Sequence, residues 1–339
     1  MLTKNFDDIA KALQNARTVG VASHIRPDAD ALGSTIAFAL WLKHCGKEVT
    51  AWNEEGSTAK FHYLPSHEIV TIPSKAPEKF DIFVALDTSV KNRLGIVLES
   101  IAPGTPLLNI DHHVSNQSFG DINYIDPTAP ATGQILVEFF RHVGARITPA
   151  MASNLFAAIS TDTGSFQYAG TNERTFAAAS HLIACGVNVP GLSRAMYDSQ
   201  PRRRFNLLRH ALNTAEFHSE DRIATFSLPL DVVEELQVLP EDNEGIIDHL
   251  RSIEGVEAAV FFEELPENKV RVSARSKIPA IDVCKVCKQF QGGGHPMMNG
   301  VGGTSLHYWA QSWRLNPWDF KTVSETTRRY GANRIPEDS

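Results

Sequence analysis

Between residues 6 and 186, short apolar runs alternate with segments whose apolar residues recur at helical spacing. Strands that alternate with helices are typical of α/β domains with a largely parallel sheet, and we expect that fold class here. The predicted strands are residues 18–23, 48–52, 80–86 and 106–110. The predicted helices are residues 31–45, 134–143, 149–160 and 174–185. The first part of the chain is therefore predicted to be a parallel-sheet α/β domain.

A second α/β pattern begins near Arg222, after a connecting stretch with a run of arginines at 202–204. We expect two domains, because 339 residues are more than one hydrophobic core usually organises. The predicted strands are residues 223–228, 256–263 and 269–274, and helices are predicted near 243–252 and 281–290. The predicted organisation is a catalytic domain over 1–190, linker helices over 191–219, a smaller domain over 220–304 and an atypical tail over 305–339.

The charge balance and the apolar runs limit the partners of the chain. The formal net charge is −7, which argues against binding long nucleic acid through many phosphates but allows a small anionic ligand. The two most apolar runs without charged residues, 31–42 and 147–161, are too short to cross a bilayer, so no membrane association is expected. Four cysteines and an amphipathic, acidic amino terminus predict a cytoplasmic protein without a disulfide scaffold.

Polar motifs begin where three of the predicted strands end, and they read HIRPDAD, DTS and DHH. In open α/β sheets ligands bind beyond the carboxyl ends of the strands, so we expect these motifs to meet at one edge. The first motif supplies His24, Asp28 and Asp30. Because Pro27 disfavours helical geometry at Arg26, we expect an extended loop in which Asp28 and Asp30 point the same way.

The other motifs enlarge this acidic and imidazole cluster, to which they add Asp87, Asp111, His112, His113 and Asp162. Only Arg26 offers a positive charge within the motifs, so bound metal ions are needed to balance the carboxylates. Imidazoles and carboxylates without thiolates suit Mn²⁺ or Mg²⁺ better than a structural zinc site. Two ions about 3.5–4 Å apart that share one carboxylate are the simplest arrangement. The alternative is that these residues are scattered helix caps. A capping role would explain any one of them, but it does not explain the whole set.

The sequences HIRPDADALGS, VALDTS, NIDHHVSN and STDTGSFQY resemble the four motifs of the DHH phosphoesterase family, and VSARSK with QGGGHP resembles its accessory DHHA1 domain. The resemblance extends over about residues 15–296 and includes the order of the motifs. It implies a parallel-sheet DHH domain plus a smaller α/β DHHA1 domain, with the active-site cleft between them. Within the family, the chain resembles the bifunctional oligoribonucleases and 3′-phosphoadenosine-5′-phosphate (pAp) phosphatases.

The resemblance also implies roles for the residues of the cluster. The first ion would be bound by His24, Asp28 and Asp87. The second ion would be bound by Asp30, Asp87, His112 and Asp162, so that Asp87 bridges both. The expected ions are Mn²⁺, with Mg²⁺ or Co²⁺ as alternatives. His113 would face the substrate phosphate, and Asp111 would support the histidines, which makes His113, Asp111 and Asp87 the predicted catalytic residues.

The second domain carries the predicted substrate-binding residues, which are Arg275, Ser276, Gly293, Gly294 and His295, together with His113 of the first domain. Consecutive glycines let backbone N–H groups approach an anion, and a guanidinium group matches the geometry of a phosphate. A simple turn is the alternative explanation of the glycines. After this segment Met298 and Asn299 depart from the family pattern, so the tail that follows is predicted to pack poorly.

The predicted function is a two-metal phosphoesterase that hydrolyses oligoribonucleotides of about two to five nucleotides to 5′-mononucleotides and converts pAp to AMP. An alternative is a phosphodiesterase for cyclic or linear dinucleotides, such as cyclic di-AMP or pApA. An inorganic pyrophosphatase would share the first-domain motifs but not the GGGH segment. A non-catalytic nucleotide sensor is disfavoured because every expected metal ligand is present. The expected partners are short single-stranded RNA, pAp or dinucleotides, and the sequence leaves a homodimer open.

Overall fold

The computed structural model of the chain describes residues 2–3, 5–243, 245–266, 269–278 and 280–288. The chain divides into two compact units, Met1–Ser199 and Gln200–Ser339. The predicted substrate-binding residues Gly293, Gly294 and His295 lie outside the described residues, as does the predicted tail.

The first unit is built on a sheet of seven parallel strands. In chain order these strands are β1 (Leu2–Thr3), β2 (Thr18–Ala22), β3 (Glu48–Trp52), β4 (Val70–Thr71), β5 (Ile82–Leu86), β6 (Leu107–Asp111) and β7 (Ile122–Ile125). Their order across the sheet is β1-β7-β6-β5-β2-β3-β4. The predicted parallel sheet is confirmed. Because β6, β5 and β2 are neighbours, the three polar motifs that follow them meet at the carboxyl edge.

The helices of the first unit cover this sheet. They are α1 (Phe6–Gln14), α2 (Ala29–His44), α3 (Thr132–His142), α4 (Pro149–Asp162), α5 (Glu173–Ala184) and α6 (Val189–Tyr197). Helix α2 is buried along most of its length and packs closely against α4, where a Cβ atom on Gly33 would lie 2.5 Å from the backbone oxygen of Asn154. A glycine at this position therefore lets α2 approach α4, and both helices carry carboxylates of the polar motifs.

No single helix in the described part of the chain is long and apolar enough to span a membrane. Helices α5 and α6 have the length and apolar composition of a membrane span only when they are taken together, and the chain bends by 115° between them.

The part of the second unit that the structure describes has a sheet of four strands in the order β11-β10-β9-β8. The strands are β8 (Glu216–His218), β9 (Ile223–Leu228), β10 (Ala258–Leu265) and β11 (Lys269–Ser276), and the helices are α7 (Arg202–Thr214), α8 (Leu230–Leu236), α9 (Ile246–Arg251) and α10 (Val283–Lys288). Strands β9 and β10 are parallel, and the other two pairings are antiparallel. The unit is therefore a smaller α/β structure, as expected.

The arginine run lies at the start of α7, within the second unit. Arg203 donates from Nε to Oδ2 of Asp242 at 2.6 Å, and Arg204 donates from Nη1 to the backbone oxygen of Asp242 at 3.0 Å. Further along α7, Leu207 and Ala211 are fully buried in the core of this unit. Two of the three arginines thus fix α7 to the segment around Asp242.

Candidate metal centre

The first polar motif joins β2 to α2 and places His24, Asp28 and Asp30 at the carboxyl edge. Asp28 is the N-cap of α2 and accepts a hydrogen bond from the Ala31 backbone N–H at 2.9 Å. The extended loop expected through Asp30 was wrong, because this cap starts the helix at Ala29. Asp30 therefore lies in the first helical turn, where it is fully buried.

His24 and Asp28 form, with Asp87, one group of side chains that could hold a metal ion. The His24 Nε2 atom lies 3.8 Å from Oδ2 of Asp28 and 3.4 Å from Oδ2 of Asp87. The Nδ1 atom of His24 lies 2.8 Å from the backbone oxygen of Ile25. An Nδ1–H that donates to this oxygen leaves the lone pair of Nε2 directed at the two carboxylates, as metal binding requires.

Asp87 lies between this group and a second group. It follows β5 directly, it is buried, and its φ angle of 51° is in the left-handed region. A residue other than glycine rarely adopts this conformation, and such strain is concentrated at functional sites. While Oδ2 of Asp87 faces His24, Oδ1 lies 3.4 Å from Nε2 of His112. One carboxylate thus contacts an imidazole on either side.

The second group consists of His112, which follows β6, Asp30, which lies in α2, and Asp162, which ends α4. The His112 Nε2 atom lies 3.4 Å from Oδ2 of Asp162 and 4.0 Å from Oδ2 of Asp30. This nitrogen is buried and has no hydrogen-bond partner among the described residues. Ligands about 2.1 Å from a common ion are separated by roughly 3–3.5 Å, so these residues fit a divalent cation.

A third arrangement at the edge involves Asp111, His113 and Asn116. Asp111 is fully buried and accepts two hydrogen bonds, one from Nδ1 of His113 at 2.7 Å and one from Nδ2 of Asn116 at 2.5 Å. The first bond fixes the tautomer of His113 with the proton on Nδ1 and the lone pair on Nε2. Asp111 thus orients the ring of His113.

Without bound cations, protons balance the charges of the buried side chains. Burial raises the pKa of Asp30 to about 8, and the charge of Asp87 contributes in the same direction. Burial and the charge of Asp28 raise the pKa of Asp162 well above its usual value. Burial would also raise the pKa of Asp87, but the imidazoles of His112 and His24 beside its two oxygens outweigh this effect and hold the pKa well below the usual range.

The histidines show the complementary change. Burial would lower the pKa of His112, yet the nearby carboxylate of Asp87 outweighs this effect and raises the pKa well above the usual value. The pKa of His24 is raised for the same reason, against the effect of burial. Carboxylates that retain protons and imidazoles that gain them indicate an environment that favours added positive charge.

Sequence reasoning missed several residues that support these groups. Thr132 and Gly133 at the start of α3 donate backbone hydrogen bonds to Asp30, and α3 begins two residues before its predicted start. Asn116 lies within the quoted motif NIDHHVSN but was not singled out. Arg93 brings Nη2 to 3.1 Å from Nδ1 of His24, a contact between distant segments that no local pattern indicates.

The second unit places Arg275 and Ser276 at the end of β11. The Arg275 side chain is largely buried, and its Nε atom lies 3.8 Å from Oδ1 of Asp248. The Ser276 hydroxyl donates to the backbone oxygen of Ile278 at 2.9 Å and accepts from the Ile278 N–H at 3.2 Å. Ser276 therefore shapes the turn that follows the strand.

Comparison with known proteins assigns each unit to a described domain. Residues 18–159 match the DHH family, N-terminal domain, and residues 231–311 match the DHHA1 domain. The bifunctional oligoribonuclease and PAP phosphatase NrnA of Thermus thermophilus is 29% identical over 85% of this chain and 84% of that protein. The cyclic-di-AMP phosphodiesterase PdeA of Listeria monocytogenes is 25% identical over 85% of this chain and 45% of that protein.

A solved structure shows the same fold. The crystal structure of an exopolyphosphatase-related protein from Bacteroides fragilis matches with a TM-score of 0.85, covers 96% of each chain and is 21% identical in sequence. The matches confirm the predicted combination of a DHH domain with a DHHA1 domain.

Proposed function

We propose, from the premise that this chain belongs to the DHH family, that it is a two-metal phosphoesterase acting on short RNA and on pAp. It would hydrolyse oligoribonucleotides of about two to five nucleotides to 5′-mononucleotides and convert pAp to AMP. The observation that carries the proposal is the position of Asp87, whose two carboxylate oxygens each lie 3.4 Å from a different imidazole. The name of the Thermus thermophilus relative supports this choice of substrates.

The metal ligands proposed are the two groups that share Asp87. His24, Asp28 and Asp87 would hold one ion, and Asp30, Asp87, His112 and Asp162 would hold the other. When bound, two divalent ions supply a hydroxide nucleophile and neutralise the charge that develops on the phosphate. We propose Mn²⁺ as the ion, with Mg²⁺ or Co²⁺ as alternatives, because the donor set combines carboxylate oxygens with imidazole nitrogens.

His113 is proposed to act directly on the substrate. Because Asp111 accepts the proton of Nδ1, the Nε2 atom is presented as the basic nitrogen of the ring. Protonated at Nε2, the imidazole donates a hydrogen bond to a phosphate oxygen and a proton to the departing oxygen of the ester. Asp111 stabilises the imidazolium that this step requires and keeps the ring in position, and Asn116 in turn holds Asp111.

The second unit is proposed to bind the phosphate groups of the substrate. Arg275 supplies a guanidinium group at the end of β11, and Ser276, Gly293, Gly294 and His295 complete the proposed set. Short single-stranded RNA, pAp and dinucleotides are accordingly the proposed partners. The proposal includes a cytoplasmic location.

Replacing Arg275 by Ala is expected to weaken substrate binding more than turnover. A lost hydrogen bond to a charged group is worth about 1.5–3 kcal/mol, so KM for an RNA dinucleotide should rise roughly 10- to 150-fold. Steady-state kinetics with the dinucleotide measure KM and kcat separately.

Arg271 provides a matched control for Arg275. It lies on the same strand and face, with side-chain exposure of 15% against 14%, and its ion-pair partner is Glu263, whereas that of Arg275 is Asp248 at 3.8 Å. The Arg271→Ala variant should retain the KM of the original chain. An unchanged KM in the Arg275→Ala variant would contradict the phosphate-binding role.

A dinucleotide phosphodiesterase is the second candidate function. The Listeria monocytogenes relative is named for cyclic di-AMP, and it matches 85% of this chain. The same metal ligands and the same His113 would serve either reaction, because both break a phosphodiester bond at a ribose oxygen. The two candidate functions therefore differ in substrate preference, which kinetic measurements determine.

The deciding experiment compares substrates under identical conditions. Purified protein with Mn²⁺ is incubated in parallel with labelled RNA of two to five nucleotides, pAp, cyclic di-AMP, pApA and pyrophosphate. We expect RNA dinucleotides to pentanucleotides and pAp to give the highest kcat/KM. Turnover of cyclic di-AMP or pyrophosphate alone would reject the proposed substrates, and the absence of any turnover would favour a nucleotide sensor.

A further inference from the structure

The amino terminus of α3 is capped by a metal-ligand candidate rather than by its own N-cap residue. Ala131 occupies the N-cap position and has no side chain that accepts a hydrogen bond. The backbone N–H of Thr132 donates to Oδ2 of Asp30 at 2.7 Å, and the N–H of Gly133 donates to Oδ1 at 2.8 Å. Asp30 belongs to α2, so a carboxylate from a neighbouring helix satisfies the first donors of α3.

Thr132 also contacts the shared carboxylate. Its hydroxyl donates to Oδ1 of Asp87 at 3.1 Å, and the residue is fully buried. Thr132 therefore contacts Asp30 through its backbone and Asp87 through its side chain. The two carboxylates come from α2 and from the turn after β5, and Thr132 is a single residue that binds both.

The start of α3 fixes the rotation of the Asp30 carboxylate. Each of its oxygens accepts one backbone N–H, and Oδ1 also accepts the Ser34 hydroxyl at 3.1 Å. A Cβ atom on Gly133 would lie 3.2 Å from Oδ1 of Asp30 and 2.7 Å from Cβ of Ala158. Glycine thus allows α3 to approach both the carboxylate and α4 closely. The remaining lone pair of Oδ2 is the one available toward His112, 4.0 Å away.

We propose that Thr132 is a positioning residue that couples the two ion sites by holding Asp30 and Asp87 at a fixed separation. The inference rests on the proposed metal centre. Asp30 and Asp87 repel each other when both are ionised, and donors fixed by a helix terminus oppose that repulsion without taking up a metal coordination position. Supporting groups of this kind typically change metal affinity 10- to 100-fold when they are removed.

The test compares Thr132→Val with Thr132→Ser. Valine keeps the volume and loses the hydroxyl, whereas serine keeps the hydroxyl. Calorimetric titration of metal-free protein with Mn²⁺ should show affinity reduced about 10- to 100-fold for Thr132→Val and restored to within about threefold for Thr132→Ser. The melting temperature of each metal-free variant is measured alongside to separate folding from binding.

Thr35 provides a matched control. It is also fully buried, but its hydroxyl donates to the backbone oxygen of Ala31 and makes no hydrogen bond to a carboxylate of the described residues. The Thr35→Val variant should bind Mn²⁺ as the original chain does, whatever its melting temperature.

The outcomes distinguish this inference from the proposal on which it rests. If the original chain binds no Mn²⁺, the proposed metal centre is wrong and the coupling fails with it. If the original chain binds Mn²⁺ and Thr132→Val binds it equally well, only the coupling role is wrong. Failure of Thr132→Ser to restore affinity would show that the methyl group matters instead. Should Thr132→Val not fold, the comparison of Thr132→Ala with Thr132→Ser decides on the same criterion.

Discussion

Replacing Asp87 by Asn is expected to abolish metal-dependent phosphoester hydrolysis, with a loss of roughly 10³-fold or more in kcat/KM. The carboxylate faces His24 with one oxygen and His112 with the other, so a single substitution replaces one of these oxygens by an amide group and removes the negative charge that both proposed ions would share. Calorimetric titration should show weaker Mn²⁺ binding at both sites. Hydrolysis of an RNA dinucleotide measures the loss of turnover.

Asn is preferred to Ala for this experiment because of the backbone conformation of Asp87. At a φ angle of 51°, Asn is among the residues that tolerate the left-handed region, whereas Ala would add strain. A loss of activity in Asp87→Asn with an unchanged circular dichroism spectrum would therefore report on chemistry and not on folding.

The matched control for Asp87 is Asp126, which follows β7 at the same edge of the sheet. Its carboxylate is paired with Arg174 at 2.7 Å and with the hydroxyl of Thr128. The Asp126→Asn variant should keep its Mn²⁺ affinity and most of its activity. If Asp87→Asn were as active as Asp126→Asn, the shared-carboxylate assignment would be wrong.

Removing metal ions with a chelator is expected to make folding stability fall as the pH rises from about 6 to about 8. Asp30, whose pKa is raised to about 8 mainly by burial, holds a proton in the folded chain that the unfolded chain releases near pH 4. The folded state thus binds more protons in this range, which gives stability a negative slope with pH. His112 acts in the same direction because its pKa is also raised. The lowered pKa of Asp87 contributes only at more acidic pH.

Bound Mn²⁺ is expected to oppose this loss of stability. The ions displace the protons of the cluster, so each displaced proton tightens binding by up to about tenfold per pH unit. The rise in melting temperature that Mn²⁺ causes should therefore be larger at pH 8 than at pH 6. At about 1.4 kcal/mol per tenfold change in affinity, each displaced proton should add roughly 3–6 °C per pH unit.

Asp30→Asn serves as the control, because it lacks the titrating carboxyl. Its metal-free melting temperature should vary less steeply over the same range, and the slope is the informative quantity since the substitution also changes hydrogen bonds with α3. A Mn²⁺-dependent rise that is equal at both pH values would show that the ions do not compete with these protons.

The sequence predicted those parts of the molecule that depend on local pattern. The runs before HIRPDAD, DTS and DHH are β2, β5 and β6, and their order in the sheet brings His24, Asp87 and His112 together as expected. Strand β9 has the predicted bounds. These predictions succeeded because apolar runs and the rule for parallel sheets determine which strand ends share an edge.

The parts that were missed depend on contacts between distant segments. The prediction of an extended loop through Asp30 was wrong because the Asp28 carboxylate caps α2. A single hydrogen bond, from the Ala31 backbone N–H to Asp28, favours the helix over the extended loop. The contact of Thr132 was not predicted because it requires α3 to approach Asp30, which is 102 positions away in the sequence. The short strand β8 has few apolar residues of its own, and its pairing with β9 defines it.

The two oxygens of Asp28 have different roles: one caps a helix, and the other is available to the proposed metal ion. Oδ1 accepts the backbone N–H of Ala31 at the start of α2, and Oδ2 lies 3.8 Å from Nε2 of His24. Asn, Ser and Thr cap helices about as well as Asp, but none of them brings a negative charge. A descendant of this chain could therefore lose the charge at position 28 and keep α2 intact. The helix cap at position 28 can be retained while the proposed metal ligand is lost. A chain that keeps this fold therefore need not keep the ion proposed to lie between His24, Asp28 and Asp87.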